Sequence, residues 1–162
     1  MEMTIAPNGV LQIDDCRIIY RNFTGEPGKY NREGDRNFAL VIDSEEIADA
    51  LIDNGWNVKI KPPREDGEPP FMTLRVNVKF NDRGPNIYLV TGKARVRLTE
   101  DTVKRLDNID IARVDMDIAP HDWEMPDGRS GRSAYLRSMK VTHNPDRFEE
   151  EFVRDDEEES IF

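Results

Sequence analysis

Apolar positions along this chain recur mainly with a period of two, in short runs rich in β-branched and aromatic residues. Eight segments read in this way as strands: DCRIIYRNF (15–23), RNFALVID (36–43), WNVKIKP (56–62), MTLRVNVKF (72–80), NIYLVT (86–91), KARVRL (93–98), IARVDMDI (111–118) and AYLRSMKVT (134–142). Turn chemistry at Gly25, Pro27, Gly28, Pro62, Pro63, Gly84, Pro85 and Gly128 separates them. Two stretches break the alternation. Asp43 followed by Glu46 makes a capping-box-like start for SEEIADALIDNG (44–55), with Ile47, Ala50 and Leu51 on one face and Gly55 as the stop. Thr99 is an N-cap candidate for a second short helix in which Val103 and Leu106 face inward.

Beyond His143, Asn144 and Pro145 the periodicity gives way to charge, and such a segment cannot bury enough apolar surface to offset its ordering entropy. The pattern therefore predicts a flexible N-terminus over 1–7, one mainly β domain over 8–143, and a disordered acidic tail over 144–162. A helical alternative exists for 147–159, where Phe148, Phe152 and Val153 fall at helical spacing.

Composition narrows the class. A chain of 162 residues, 37% of them hydrophobic, suits a single core. No run of eighteen apolar residues occurs and MEMTIAPNG lacks the order of a secretory signal, so a cytoplasmic location without membrane attachment is expected. Cys16 is the lone cysteine, and His121 and His143 are the only histidines; no disulfide, metal site or cofactor is expected from them.

The net charge of −10 argues at first against a polyanionic ligand. Residues 148–162, however, hold eight carboxylates against Arg154 and carry −7, so the body carries only −3. Within the body, three strands place cations on their polar side: Arg75, Asn77 and Lys79; Lys93, Arg95 and Arg97; and Asn57, Lys59 and Lys61, the last run opening at Trp56. Side by side, these strands would form a positive track for a phosphate backbone. The alternative is that polar alternation only solvates a half-buried antiparallel sheet.

The segment between the first two long strands interleaves aromatics with cations: Tyr20, Arg21, Phe23, Lys29, Tyr30, Arg32 and Arg36. Aromatic faces stack on bases irrespective of sequence while Lys and Arg hold phosphates, which is the mixture a single-strand binder needs. Tyr20 and Phe23 also read as core residues of the first strand, Phe23 above all, which leaves Tyr30 as the better stacking candidate. A second grouping, Arg132, Tyr135 and Arg137, reads either as a mobile basic arm or as a plain hairpin.

Enzymatic readings are weak. Asp115, Asp117, His121, Asp122 and Glu124 could offer hard oxygen ligands to Mg²⁺, but the same residues read as an exposed strand face followed by a turn at Pro120. Gly25 to Lys29 lacks phosphate-loop spacing, and Tyr30 stands where Ser or Thr should follow. A binding protein without catalysis is expected.

The tail ends in DDEEESIF, in which Asp155, Asp156, Glu157, Glu158 and Glu159 precede Ile161 and Phe162. A hydrophobic pocket with a basic rim on a partner could capture such a tip. The segment resembles the acidic C-terminal tips of bacterial and phage single-stranded DNA-binding proteins, and it looks more like the phage members because the long Gly/Gln/Pro-rich linker of bacterial ones is missing. That resemblance implies an OB-like Greek-key barrel that coats single-stranded DNA and a tip that recruits replication or recombination proteins. A homodimer is compatible with it. The competing class is a DNA mimic, or an inhibitor or adaptor acting on a host nucleic-acid enzyme; a mimic would array its carboxylates on the folded surface rather than gather them in a tail.

Overall fold

A computed structural model describes residues 1–144. The tail, its Ile-Phe tip and the helical alternative for 147–159 lie outside the described residues. The elements run β1 (Glu2–Ile5), β2 (Leu11–Asn22), β3 (Arg36–Ile42), α1 (Glu45–Asp53), β4 (Val58–Lys61), β5 (Phe71–Val78), β6 (Asn86–Thr91), β7 (Ala94–Leu98), a 3-10 turn (Val103–Asp107), β8 (Ile111–Glu124) and β9 (Ser130–His143).

Five of these strands close a ring. β2 pairs antiparallel with β3, β3 with β5, β8 with β2, and β9 with β8, while the parallel pairing of β5 with β9 shuts the barrel. This is an OB-like Greek-key barrel in a mainly β chain. Around it, β4 extends the sheet beyond β5, β6 and β7 form a hairpin attached in parallel to β9, and β1 lies along β2. The alternating apolar residues of the five strands meet inside, with Leu11, Ile13, Phe38, Leu40, Leu74, Val76, Ile118 and Val141 at or near zero exposure. The Phe23 and Phe38 rings stack at 5.4 Å between centroids.

Three expectations need correction. Residues 2–5 form a strand rather than a flexible lead, because Met1 and Met3 pack against the core while the backbone pairs with Leu11 to Asp14. Ser44, not Asp43, caps α1, its side chain accepting from the Ile47 amide at 3.4 Å, whereas the Asp43 carboxylate faces the N-terminal ammonium at 3.5 Å. Ala48 and Leu51 form the buried face, with Ile47 packed against the core, and Ala50 is exposed. The predicted second helix shortens to the 3-10 turn, although Val103 and Leu106 are fully buried as expected.

Candidate nucleic-acid interface

On β5 the even positions are buried and the odd ones point outward. Register then sets Arg75 opposite Ala39 of β3, Asn77 opposite Asn37, and Thr73 between Val41 of β3 and Lys59 of β4. Lys61 of β4 stands opposite Phe71. The outer face of β3, β5 and β4 therefore gathers Lys59, Lys61, Arg75 and Lys79 around two asparagines and the small Ala39, so two of the three basic strands do lie side by side. The third does not. β7 sits at the other end of the sheet order, on the hairpin beyond β9. There Arg95 covers the Tyr88 ring at 4.7 Å, Arg97 donates to the Asn86 side chain, and Val96 is exposed instead of facing a core.

The segment joining β2 to β3 folds over this face. Asp107 of the 3-10 turn accepts from the amides of Phe23 (2.7 Å) and Thr24 (2.9 Å) and from the Thr24 hydroxyl (2.6 Å), which fixes where the segment leaves the barrel. Gly25 has φ of +78°, and a Cβ there would fall 3.0 Å from the Gly34 backbone, so only glycine lets the two limbs close. Asn31 then ties the segment to the sheet: its Nδ2 donates to the carbonyls of Glu26 (2.8 Å) and Asp35 (3.0 Å), and its Oδ1 accepts from Asn37 (2.8 Å) and Arg75 (3.4 Å).

Tyr20 and Tyr30 end up side by side with this network. Tyr30 is 82% exposed, with the Lys29 ammonium 5.4 Å from its ring centre, and Tyr20 is 74% exposed. Tyr20 faces out because β2 is irregular there: the register with β3 shifts between Ile19 and Asn22, and Tyr20 takes φ of +52°. A groove of about 360 Å³ results, lined by Tyr20, Tyr30, Asn37, Lys59, Thr73 and Arg75. It continues into two more grooves. One, of about 390 Å³, shares Arg75 and runs to the turn end of the β8–β9 hairpin; another, of about 420 Å³, shares Asn77 with it and contains Lys79 and Tyr135. Flat aromatic faces, amides and cations thus form one continuous surface across β5. This combination can stack bases and neutralise phosphates.

Several of the other sequence candidates are held by contacts within the protein. Arg21 donates to the carbonyls of Leu106 (2.7 Å) and Ile109 (2.8 Å), which holds the 3-10 turn on β2. Arg36 donates to the Phe23 carbonyl at 3.0 Å, pairs with Glu100 at 3.3 Å and covers the Phe80 ring. Arg132 forms a double contact with Asp122 (2.7 and 3.2 Å) and donates to the Asn54 carbonyl at 2.7 Å. The paired guanidinium holds the Asp122 carboxyl below its usual range. Trp56 is only 3% exposed and so offers no open stacking face. Lys29 and Arg32 are exposed in the β2–β3 segment, Arg137 on β9, and Lys93 at the β6–β7 turn. Tyr135 meets His121 edge to face at 5.3 Å. The segment 129–137 belongs to the long β8–β9 hairpin, whose turn lies between Glu124 and Ser130.

The acidic group considered for Mg²⁺ is engaged otherwise. Asp115 accepts from the Asp15 amide at 2.9 Å and pairs with Arg113 at 3.1 Å and Lys140 at 3.7 Å. Burial alone would raise its carboxyl, but these contacts outweigh that and hold it below the usual range. Among the described residues no group of His, Cys, Asp and Glu is placed to hold a metal ion.

A family model described as "Putative phage ssDNA-binding domain" matches residues 3–160. Among solved structures, the chain is similar to the single-stranded DNA-binding protein from bacteriophage Enc34, with a TM-score of 0.56 and 12% identity over 90% of this chain and 87% of that one. The C-terminally truncated form of the same phage protein gives a TM-score of 0.56 and 11% identity over 89% and 91% of the two chains. At such identity the likeness shows a shared fold. A comparison with curated proteins finds no match.

Proposed function

Because this chain belongs to the phage ssDNA-binding domain family, we propose that it coats single-stranded DNA without marked sequence preference, laying the strand across the outer face of β3, β5 and β4. One observation carries the assignment of the face: Tyr20 and Tyr30, brought from separate segments, share a single groove with Lys59 and Arg75. OB folds bind oligonucleotides on their second and third barrel strands and in the loop between the first two. Here those are β3, β5 and the Tyr30 segment. Bases stack on the tyrosines, phosphates meet Lys29, Lys59, Lys61, Arg75 and Lys79, and the activity is binding without chemistry.

The tail completes the reading. Its carboxylates, tethered to the same molecule, compete for the cationic face at high effective concentration until a polyphosphate displaces them. Displacement frees Ile161 and Phe162 to recruit replication or recombination proteins of the host cell. The test is fluorescence anisotropy with labelled oligo-dT and the matching duplex, on the full chain and on a version ending at Asp146. Preference for the single strand, strengthened by shortening, is the expected result, and Tyr20→Ala with Tyr30→Ala should weaken it about tenfold or more. Equal binding of duplex and single strand, or indifference to both tyrosine changes, would overturn the assignment of the face.

A further inference from the structure

Tyr20 and Tyr30 account for the first groove but leave both tryptophans of the chain without a role. These two meet at the turn end of the β8–β9 hairpin. Trp56, just ahead of β4, bridges in parallel to Arg132 of β9, and Trp123 of β8 stands opposite Gly131. Between them lies the notch of about 390 Å³, which also takes in Arg75 from the first groove. A strand leaving Tyr20 and Tyr30 along Arg75 therefore arrives at the tryptophans.

Three features mark the notch as a built site. Trp123 is 42% exposed, and its ring lies directly on the Gly131 backbone: a Cβ there would fall 2.5 Å from its Cζ2 and 2.8 Å from its Cε2. One side of a fixed ring is thus backed by protein while much of the remainder is open. The Trp56 indole Nε1, on the other tryptophan that lines the notch, is buried and has no hydrogen-bond partner among the described residues. A buried donor without an acceptor is destabilising, and indole N–H groups usually find a partner when buried. Above that indole, at 5.7 Å, lies the Arg132 guanidinium, held by Asp122 and the Asn54 carbonyl. The notch thus combines a stacking wall, an unused donor and a cation.

We propose that the notch is a nucleobase slot, in which one base of the bound strand stacks on Trp123 and a base carbonyl accepts the Trp56 Nε1 hydrogen. Arg132 leaves the indole for the neighbouring phosphate as the base enters, exchanging the Asp122 carboxylate for a second anion. The slot rests on the single-strand reading above and adds to it a preference for bases that carry an acceptor.

The experiment uses the full chain with three probes of equal length: oligo-dT, an oligomer of the thymine isostere difluorotoluene, which keeps the shape but lacks the carbonyls, and an abasic oligomer. In the Trp56→Phe variant Trp123 is the only tryptophan, and its emission should be quenched by oligo-dT but not by the abasic strand. By anisotropy, the wild type should favour oligo-dT over the isostere by about tenfold, and Trp56→Phe should erase that margin. Trp123→Ala should weaken oligo-dT binding by about tenfold or more. If oligo-dT binds while Trp123 emission stays constant, or Trp56→Phe discriminates as the wild type does, the slot is overturned and the β3–β5 face stands. If the wild type binds no oligo-dT, both readings fall.

Discussion

Continuing the alternation that buries Cys16 and Ile18 would carry Tyr20 inside; instead its backbone at φ of +52° turns the ring outward, and Phe23 takes the inward place against Phe38. Sequence periodicity assumes a regular strand and has no means of locating that irregularity. The same limit applies to the cations. The outward direction of Lys59, Arg75 and Lys79 was legible because alternation in β4 and β5 sets it, whereas Arg21, Arg36 and Arg132 bind carbonyls or carboxylates that the fold brings from far along the chain. Cys16 gives a further test at this scale. Its thiol donates to the Val114 carbonyl at 3.4 Å, and burial, reinforced by the Asp115 charge, pushes its pKa from 9.0 up to about 12. The folded state therefore holds the thiol proton more tightly than the unfolded state, and stability contributed below about pH 9 is lost as pH rises toward the folded value. Urea melts of wild type and Cys16→Ala should diverge in slope above pH 9, the wild type losing roughly 1 kcal/mol more per pH unit. Parallel slopes would show that the thiol ionises as freely in the fold as outside it.

The β8–β9 hairpin brings Trp123 and Arg132 to the end of the proposed DNA face, so its geometry governs that end. Gly131 has an ordinary backbone angle, and its small size is needed only because the Trp123 ring rests on it. Gly131→Ala should lift the ring, shift tryptophan emission and weaken oligo-dT binding about tenfold, while lowering stability by only about 1 kcal/mol because the ring is half exposed. Unaltered emission would mean that the ring does not depend on that contact. The strands themselves were largely readable, since period-two burial holds along β5, β6 and the barrel part of β8. What could not be read was their order. Nothing in KARVRL tells that β7 pairs only with β6, far from β4 and β5, because basic alternation looks alike on a barrel wall and on a projecting hairpin.

For the whole molecule, charge is divided by region: the body carries −3 and the last fifteen residues −7, while Lys59, Lys61, Arg75 and Lys79 share the outer face of β3, β5 and β4. Net charge therefore predicts little about binding, and salt dependence predicts more. With Lys29, Lys59, Lys61, Arg75 and Lys79 each meeting a phosphate, the logarithm of the oligo-dT association constant for the version ending at Asp146 should fall against the logarithm of salt with a slope of about −3.5. Arg75→Ala should make that slope shallower by about 0.7. A slope near zero would place the strand away from this face.

The parallel join of β5 to β9 has a further consequence, for synthesis. Val76 waits for Ala134, and Asn77 for Tyr135, so the ring cannot shut until the last strand of the described domain has left the ribosome. Until then β3 and β5 expose an apolar inner face and an unpaired edge, the kind of surface on which nascent chains aggregate or recruit chaperones. A chain stalled before Ser130 should therefore remain sensitive to proteases, and compaction should come in a single late step once β9 emerges, carrying the β8–β9 hairpin and its Trp123 into place with it.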